Sequence, residues 1–146
     1  MTIGLWIGIT AGAVVMGSFV FYYNRFIVLE NRIKNSLAQI DVQLRKRADL
    51  VPSLVKVVKA YAKHESKIME QVTKARSEML KSTNVQSKVK AGDKLQDALK
   101  SIFAIAENYP QLVSSQAYQL LIAQIADIEK QIFEKRIGFE ALINAK

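Results

Sequence analysis

No Lys, Arg, Asp or Glu occurs before Arg25 in this 146-residue chain, so all 21 basic and 13 acidic residues fall from Arg25 onward. The uncharged head contains Ile3 to Tyr23, IGLWIGITAGAVVMGSFVFYY, a run of 21 residues. About 20 apolar residues carry a helix across a hydrocarbon core of roughly 30 Å. Trp6 near one end and Tyr22 with Tyr23 at the other suit the two membrane interfaces. A buried helix of a soluble core is usually shorter and has a polar face, which this run lacks. A cleaved leader would need a basic segment first, and only Met1 and Thr2 precede the run. Ala11-Gly12-Ala13 has the small residues of a cleavage site, but apolar sequence continues well beyond it. Residues 1–24 therefore read as an uncleaved single-pass anchor.

Arg25, Arg32 and Lys34 follow the span and no basic side chain precedes it. The excess of basic residues on cytoplasmic flanks places the N-terminus outside and residues 25–146 in the cytoplasm, at a cell (inner) membrane. Gly4, Gly8 and Gly12 share one face of the span as two small-xxx-small steps, a candidate self-association seam. Glycine is also simply common in membrane helices, and both readings stay open.

Beyond the span the apolar period is helical. Phe26, Ile33, Leu37, Ile40, Leu44, Val51, Leu54, Val58, Tyr61, Ile68, Val72, Ala75 and Met79 follow three- and four-residue steps, with Glu30, Arg47 and Glu65 as exceptions on the seam. No stretch alternates with period two, so strands are not expected. Ser82 to Asp93 (STNVQSKVKAGD) reads as a loop, and Leu95 to Ala106 as a short helix stopped before Pro110. Ser114 or Ser115 is placed to cap a last helix with the stripe Tyr118, Leu121, Ile125, Ile128, Ile132, Phe139 and Leu142. Asp49 and Pro52 set the main choice. With Asp49 as N-cap, Pro52 falls in a first turn, where a missing N–H costs little, and helices 25–48 and 50–82 form a hairpin. The alternative is one long kinked helix, favoured by the unbroken register. The hairpin is preferred because it buries Ile33, Leu37, Ile40 and Leu44 within one chain. The expected fold class is all-α: a transmembrane helix, then an antiparallel four-helix bundle with helices near 25–48, 50–82, 93–109 and 114–145.

Chemistry is sparse. The absence of cysteine excludes disulfides, thiolate metal sites and a catalytic thiol. His64 is the only histidine, so no His-His metal pair, HExxH motif or Ser-His-Asp set can form within one chain. With only Gly92 and Gly138 after residue 24, no glycine-rich phosphate loop is present. Asp41, Arg45 and Asp49, spaced by four, read as surface ion pairs. Neither an enzyme nor a cofactor is expected.

The basic residues carry more information. Residues 25–100 hold 17 basic and 8 acidic side chains, a net +9, whereas 101–146 hold four and five, a net −1. Lys56, Lys63, Lys67, Lys74 and Lys81 fall in one helical stripe with Lys59 beside it. A solvated face is the plain reading. The functional readings are an anionic lipid surface or an acidic protein partner. Nucleic acid is not expected, since the face is lysine-rich and lacks aromatic stacking positions. In the hairpin, the second helix would return Lys74, Lys81, Lys88 and Lys90 toward lipid headgroups, each adding about 1 kcal/mol of attraction.

The string YN at Tyr23-Asn24, followed by ENRIKNSLAQIDVQLRKRADLVPSLVKVVKAYAKHE, resembles the LemA family of membrane-anchored helical proteins. The likeness continues through Ala75-Arg76 and AENYPQL at 106–112. The resemblance implies a single N-terminal anchor in a bacterial inner membrane, a cytosolic antiparallel four-helix bundle and no known enzymatic activity. Relatives include a magnetosome membrane protein, and the family is discussed beside membrane metalloproteases. The usual Tyr-Asn pair of the last helix is replaced here by Phe139-Glu140, and the family pattern continues past Lys146 to a Phe-Pro tail.

Three functions are consistent with these features. The first is a non-enzymatic scaffold or adaptor that self-associates or recruits a membrane or acidic protein, through the 33–44 stripe and the AENYP turn (Ala106 to Pro110). The second is a membrane-organising oligomer that grips anionic lipid. The third, an accessory factor of a membrane metalloprotease, rests on the resemblance alone.

Overall fold

The computed structural model describes residues 2–144. These form α1 (Thr2–Tyr61), α2 (Ser66–Lys81), α3 (Val85–Ala106), the single turn α4 (Pro110–Val113) and α5 (Gln116–Asn144), with no strand among the described residues. The chain is an all-α bundle. Its last expected helical residue, Ala145, lies outside the described residues.

One helix replaces the expected hairpin. α1 runs 60 residues from the apolar head to Tyr61 with Pro52 inside it, and the reversal falls at Ala62–Glu65 instead of at Asp49. A proline within a helix strands the carbonyl four residues earlier, here that of Ala48. Arg76 of α2 supplies the missing donor: its Nε gives a hydrogen bond of 2.8 Å to the Ala48 oxygen. The proline is thus accommodated by a side chain 28 residues away.

α3 begins eight residues before the expected helix at 93. Asn84 caps it, its Oδ1 accepting from the Ser87 N–H at 2.7 Å, which satisfies one of the free donors of the first turn. Gly92, read as a loop glycine, is buried inside the helix. A Cβ there would lie 2.6 Å from Leu44 Cδ2, so glycine allows α3 to approach α1 closely. At the next turn, Ser115 Oγ accepts from the Tyr118 N–H at 3.3 Å and caps α5.

α1 leads away from the apolar head, α2 returns, α3 ascends and α5 descends along α1. At 29 residues α5 is about 44 Å long, enough to reach the foot of the bundle, where Leu142 shares a groove with Phe21, Arg25 and Arg32. Together α5 and the longer α3 cover the 33–44 stripe within one chain. Ile40 and Leu44 are 2% and 1% exposed, and Ile33 and Leu37 are half-buried. The core continues upward through Val51, Leu54 and Val58 of α1, Val72 and Met79 of α2, Leu95, Leu99 and Ile102 of α3, and Ile125 of α5.

Candidate functional site

The N-terminal part of α1 extends beyond the bundle and first shares a groove with α5 at Phe21, Arg25 and Val28, beside Leu142. From Trp6 to Val28 every residue is exposed, and this N-terminal stretch is long and apolar enough to cross a membrane. Gly4, Gly8 and Gly12 lie on it with open space around them: nothing stands within 4 Å of a Cβ built at any of the three.

Inside the bundle one polar constellation joins three helices. Arg47, the basic exception on the apolar seam, is only 1% exposed. Its Nη2 donates to the Gly92 carbonyl at 2.5 Å, through the gap left by the absent Cβ. Nearby Arg136 of α5 donates to Asp93 Oδ1 at 2.7 Å. Burial lowers the Arg47 pKa, while the negative charges of Glu129 and Asp93 act to keep it protonated against Arg136. The arrangement locks α1, α3 and α5 in register. Arg47 was visible in the sequence as an interruption of the seam, but its partners lie 45 or more residues away. At the far end, Tyr109 of the AENYP turn donates to Glu65 Oε1 at 3.4 Å, tying that turn to the α1–α2 reversal. Burial, with the charge of Glu107, raises the pKa of the Tyr118 phenol.

The residues singled out in the sequence separate into distinct places. Ile40 and Leu44 belong to the intramolecular core, so the 33–44 stripe packs on α3 and α5 rather than facing outward. Asp49 and Pro52 lie on an exposed face of α1, and Pro110 opens α4. Asp41 pairs with Arg45 at 3.3 Å, as expected from the spacing, but also with Lys88 at 2.9 Å; among the described residues Asp49 has no ion pair. Lys88 is therefore a half-buried strut between α1 and α3. Lys90 edges a groove of about 660 Å³ at the foot, floored by Leu37, Ile40, Val89 and Phe139. Because Lys88 meets Asp41, 16 residues above Arg25, it stands about 24 Å up an upright α1. The Debye length is only about 8 Å. The headgroup approach drawn from the hairpin does not follow from this geometry.

The remaining lysines, Lys56, Lys59, Lys63, Lys67, Lys74 and Lys81, are all exposed and make no ion pair among the described residues. Moving the reversal to 62–65 divides them between two helices and creates a groove between α1 and α2. This groove, about 560 Å³, is lined by Val55, Ala62 and Met69, by Thr73 and Ser77, and by Lys59, Lys63 and Lys74. Glu70 is the one acidic residue in its lining. No His, Cys, Asp and Glu cluster able to hold a metal occurs among the described residues.

A helical bundle continuous with an N-terminal helix long and apolar enough to cross a membrane defines the class, an all-α protein. The chain belongs to the LemA family, whose model matches residues 36–145. Among curated proteins none matches the chain.

Proposed function

We propose that this chain is a non-enzymatic, single-pass membrane protein that acts as a scaffold or adaptor at the cytoplasmic face. The observation that carries this reading is the continuity of α1. One 60-residue helix is both the apolar head and the central strut of the bundle core. No Gly or Pro lies between Ser18 and Val51 to loosen the junction. The bundle is thereby held at a fixed height, with its α1–α2 end about 54 Å above Arg25 when α1 stands upright. Arg25, Arg32 and Lys34, all exposed, favour the cytoplasmic side for that end.

A second reading, a membrane-organising oligomer, draws on the outer face of α5, where Phe133 and Ile137 are 65% and 52% exposed close to the foot. Self-association there needs no lipid contact by lysine. The two readings separate on assembly size and topology. The chain has no cysteine, so a single cysteine introduced at Ser53 reports topology cleanly. It should resist an impermeant maleimide in intact cells and react in inverted vesicles; the reverse pattern contradicts the cytoplasmic assignment. Single-particle imaging of polymer-extracted protein should show small oligomers with a co-purifying partner. Large regular arrays would favour the organiser.

A further inference from the structure

We propose that the groove between α1 and α2 docks an acidic amphipathic helix of a partner protein. The inference rests on the adaptor reading and assigns it a site. Three features of the groove define the occupant. Its floor is apolar: Ala62 and Met69 are buried and Val55 half-buried, flanked by the small polar side chains of Ser66, Thr73 and Ser77. Two antiparallel helices with small residues between them let a third helix lie close, which is the helix-in-groove mode of recognition. The lining spans Val55 and Lys59 on α1, Ala62 and Lys63 in the reversal, and Ser66 to Ser77 on α2, enough for about three turns of a docked helix.

Its rims are basic. Lys59 and Lys63 stand on the α1 side and Lys74 on the α2 side, with only Glu70 opposing them. Lysines that flank an apolar seam select acidic side chains at the flanking positions of a partner helix, as in the charged borders of coiled coils. These lysines differ from Lys34, Lys88, Lys94 and Lys100, each of which already has a carboxylate partner in the chain. Glu70 breaks the symmetry of the rim and fixes the register, by requiring a neutral or basic residue at one point of the partner.

Its position excludes the other common anion. Lys59 lies 34 residues beyond Arg25, about 51 Å up an upright α1, several Debye lengths from any headgroup. The occupant is therefore a protein segment and not the bilayer that holds the chain.

The test uses the full-length chain in its own membranes, with the photo-crosslinker p-benzoylphenylalanine in place of Thr73 in the groove and, separately, in place of Phe133 on α5. Adducts are identified by mass spectrometry of the crosslinked segment. The expected result is a Thr73-site adduct whose segment is an acidic amphipathic helix. Its yield should fall at least about tenfold on combining Lys59→Glu, Lys63→Glu and Lys74→Glu. Circular dichroism on the same variant should show unchanged helicity and melting. The proposal is overturned by a basic or unpatterned segment, by a lipid or nucleic-acid adduct, by no adduct, or by a yield indifferent to charge reversal. A protein adduct at the Phe133 site alone overturns the groove and leaves the adaptor reading standing. Absence of protein adducts at both sites removes both.

Discussion

The two ends of α1 are made from the same helix but face different surroundings. From Trp6 to Tyr23 the helix carries no charge on any side and is exposed on all sides. From Ile40 to Val58 it is apolar along one seam apart from Arg47, and that seam is buried while Lys46 and Lys56 stay outside. An all-round apolar surface has no protein to pack against here and calls for lipid as its solvent. A one-sided seam calls for neighbouring helices. The difference teaches that the all-round apolar stretch and the bundle are not joined by a linker: one changes into the other within a single helix, over 29–39, where Leu29, Ile33 and Leu37 are half-buried.

This contrast can be broken from either end. The largest effect is expected for Leu54→Ala, a fully buried side chain, which should destabilise the bundle by about 2–5 kcal/mol in denaturant unfolding. Val14→Ala, made in the exposed half, should leave bundle unfolding unchanged. A charge reverses the sensitivity. Val14→Lys near the middle of the span should oppose membrane insertion by about 2.5–3.5 kcal/mol, read from the fraction of chain recovered in membranes. Val42→Lys, on the exposed side of the bundle half, should change stability by no more than about 0.5 kcal/mol.

The continuity of α1 through Pro52 has its own test. Arg76→Met should cost about 1–3 kcal/mol, because it leaves the Ala48 carbonyl without a donor. In a Pro52→Ala background the residue 52 N–H returns to Ala48, and the same substitution should cost much less. A double-mutant cycle that shows no coupling would mean that Arg76 does not compensate the proline. A small effect belongs to the Asp41–Lys88 bridge, partly exposed on both sides. Asp41→Asn should lower stability by up to about 1 kcal/mol, less at high salt.

How far the sequence discloses this architecture depends on the range of the interaction that decides each feature. The span, the helical seam and the antiparallel bundle follow from local periodicity, and Ser115 follows from cap chemistry. Pro52 and Gly92 mislead because each is a local breaker rescued by a distant partner, Arg76 in one case and the close passage of Leu44 and Arg47 in the other. The true reversal, Ala62-Lys63-His64-Glu65, contains neither Gly nor Pro, and Glu65 on the apolar seam is its only mark. Asn84 was a readable cap hidden among turn-forming neighbours. The lysine stripe was legible as a stripe. That Lys59, Lys63 and Lys74 of it edge a groove depends on where α1 ends, which periodicity does not specify, since the register continues through the turn.

The claim on which the rest depends is that α1 runs unbroken from the bilayer into the bundle. Spin labels on cysteines introduced at Asn24 and Ala60, both exposed, measure it directly by pulsed electron-spin resonance in lipid nanodiscs. A continuous helix places the two backbone sites about 54 Å apart. A chain that reversed near Asp49 would bring them to about 20–25 Å, and a distribution centred there would contradict the account.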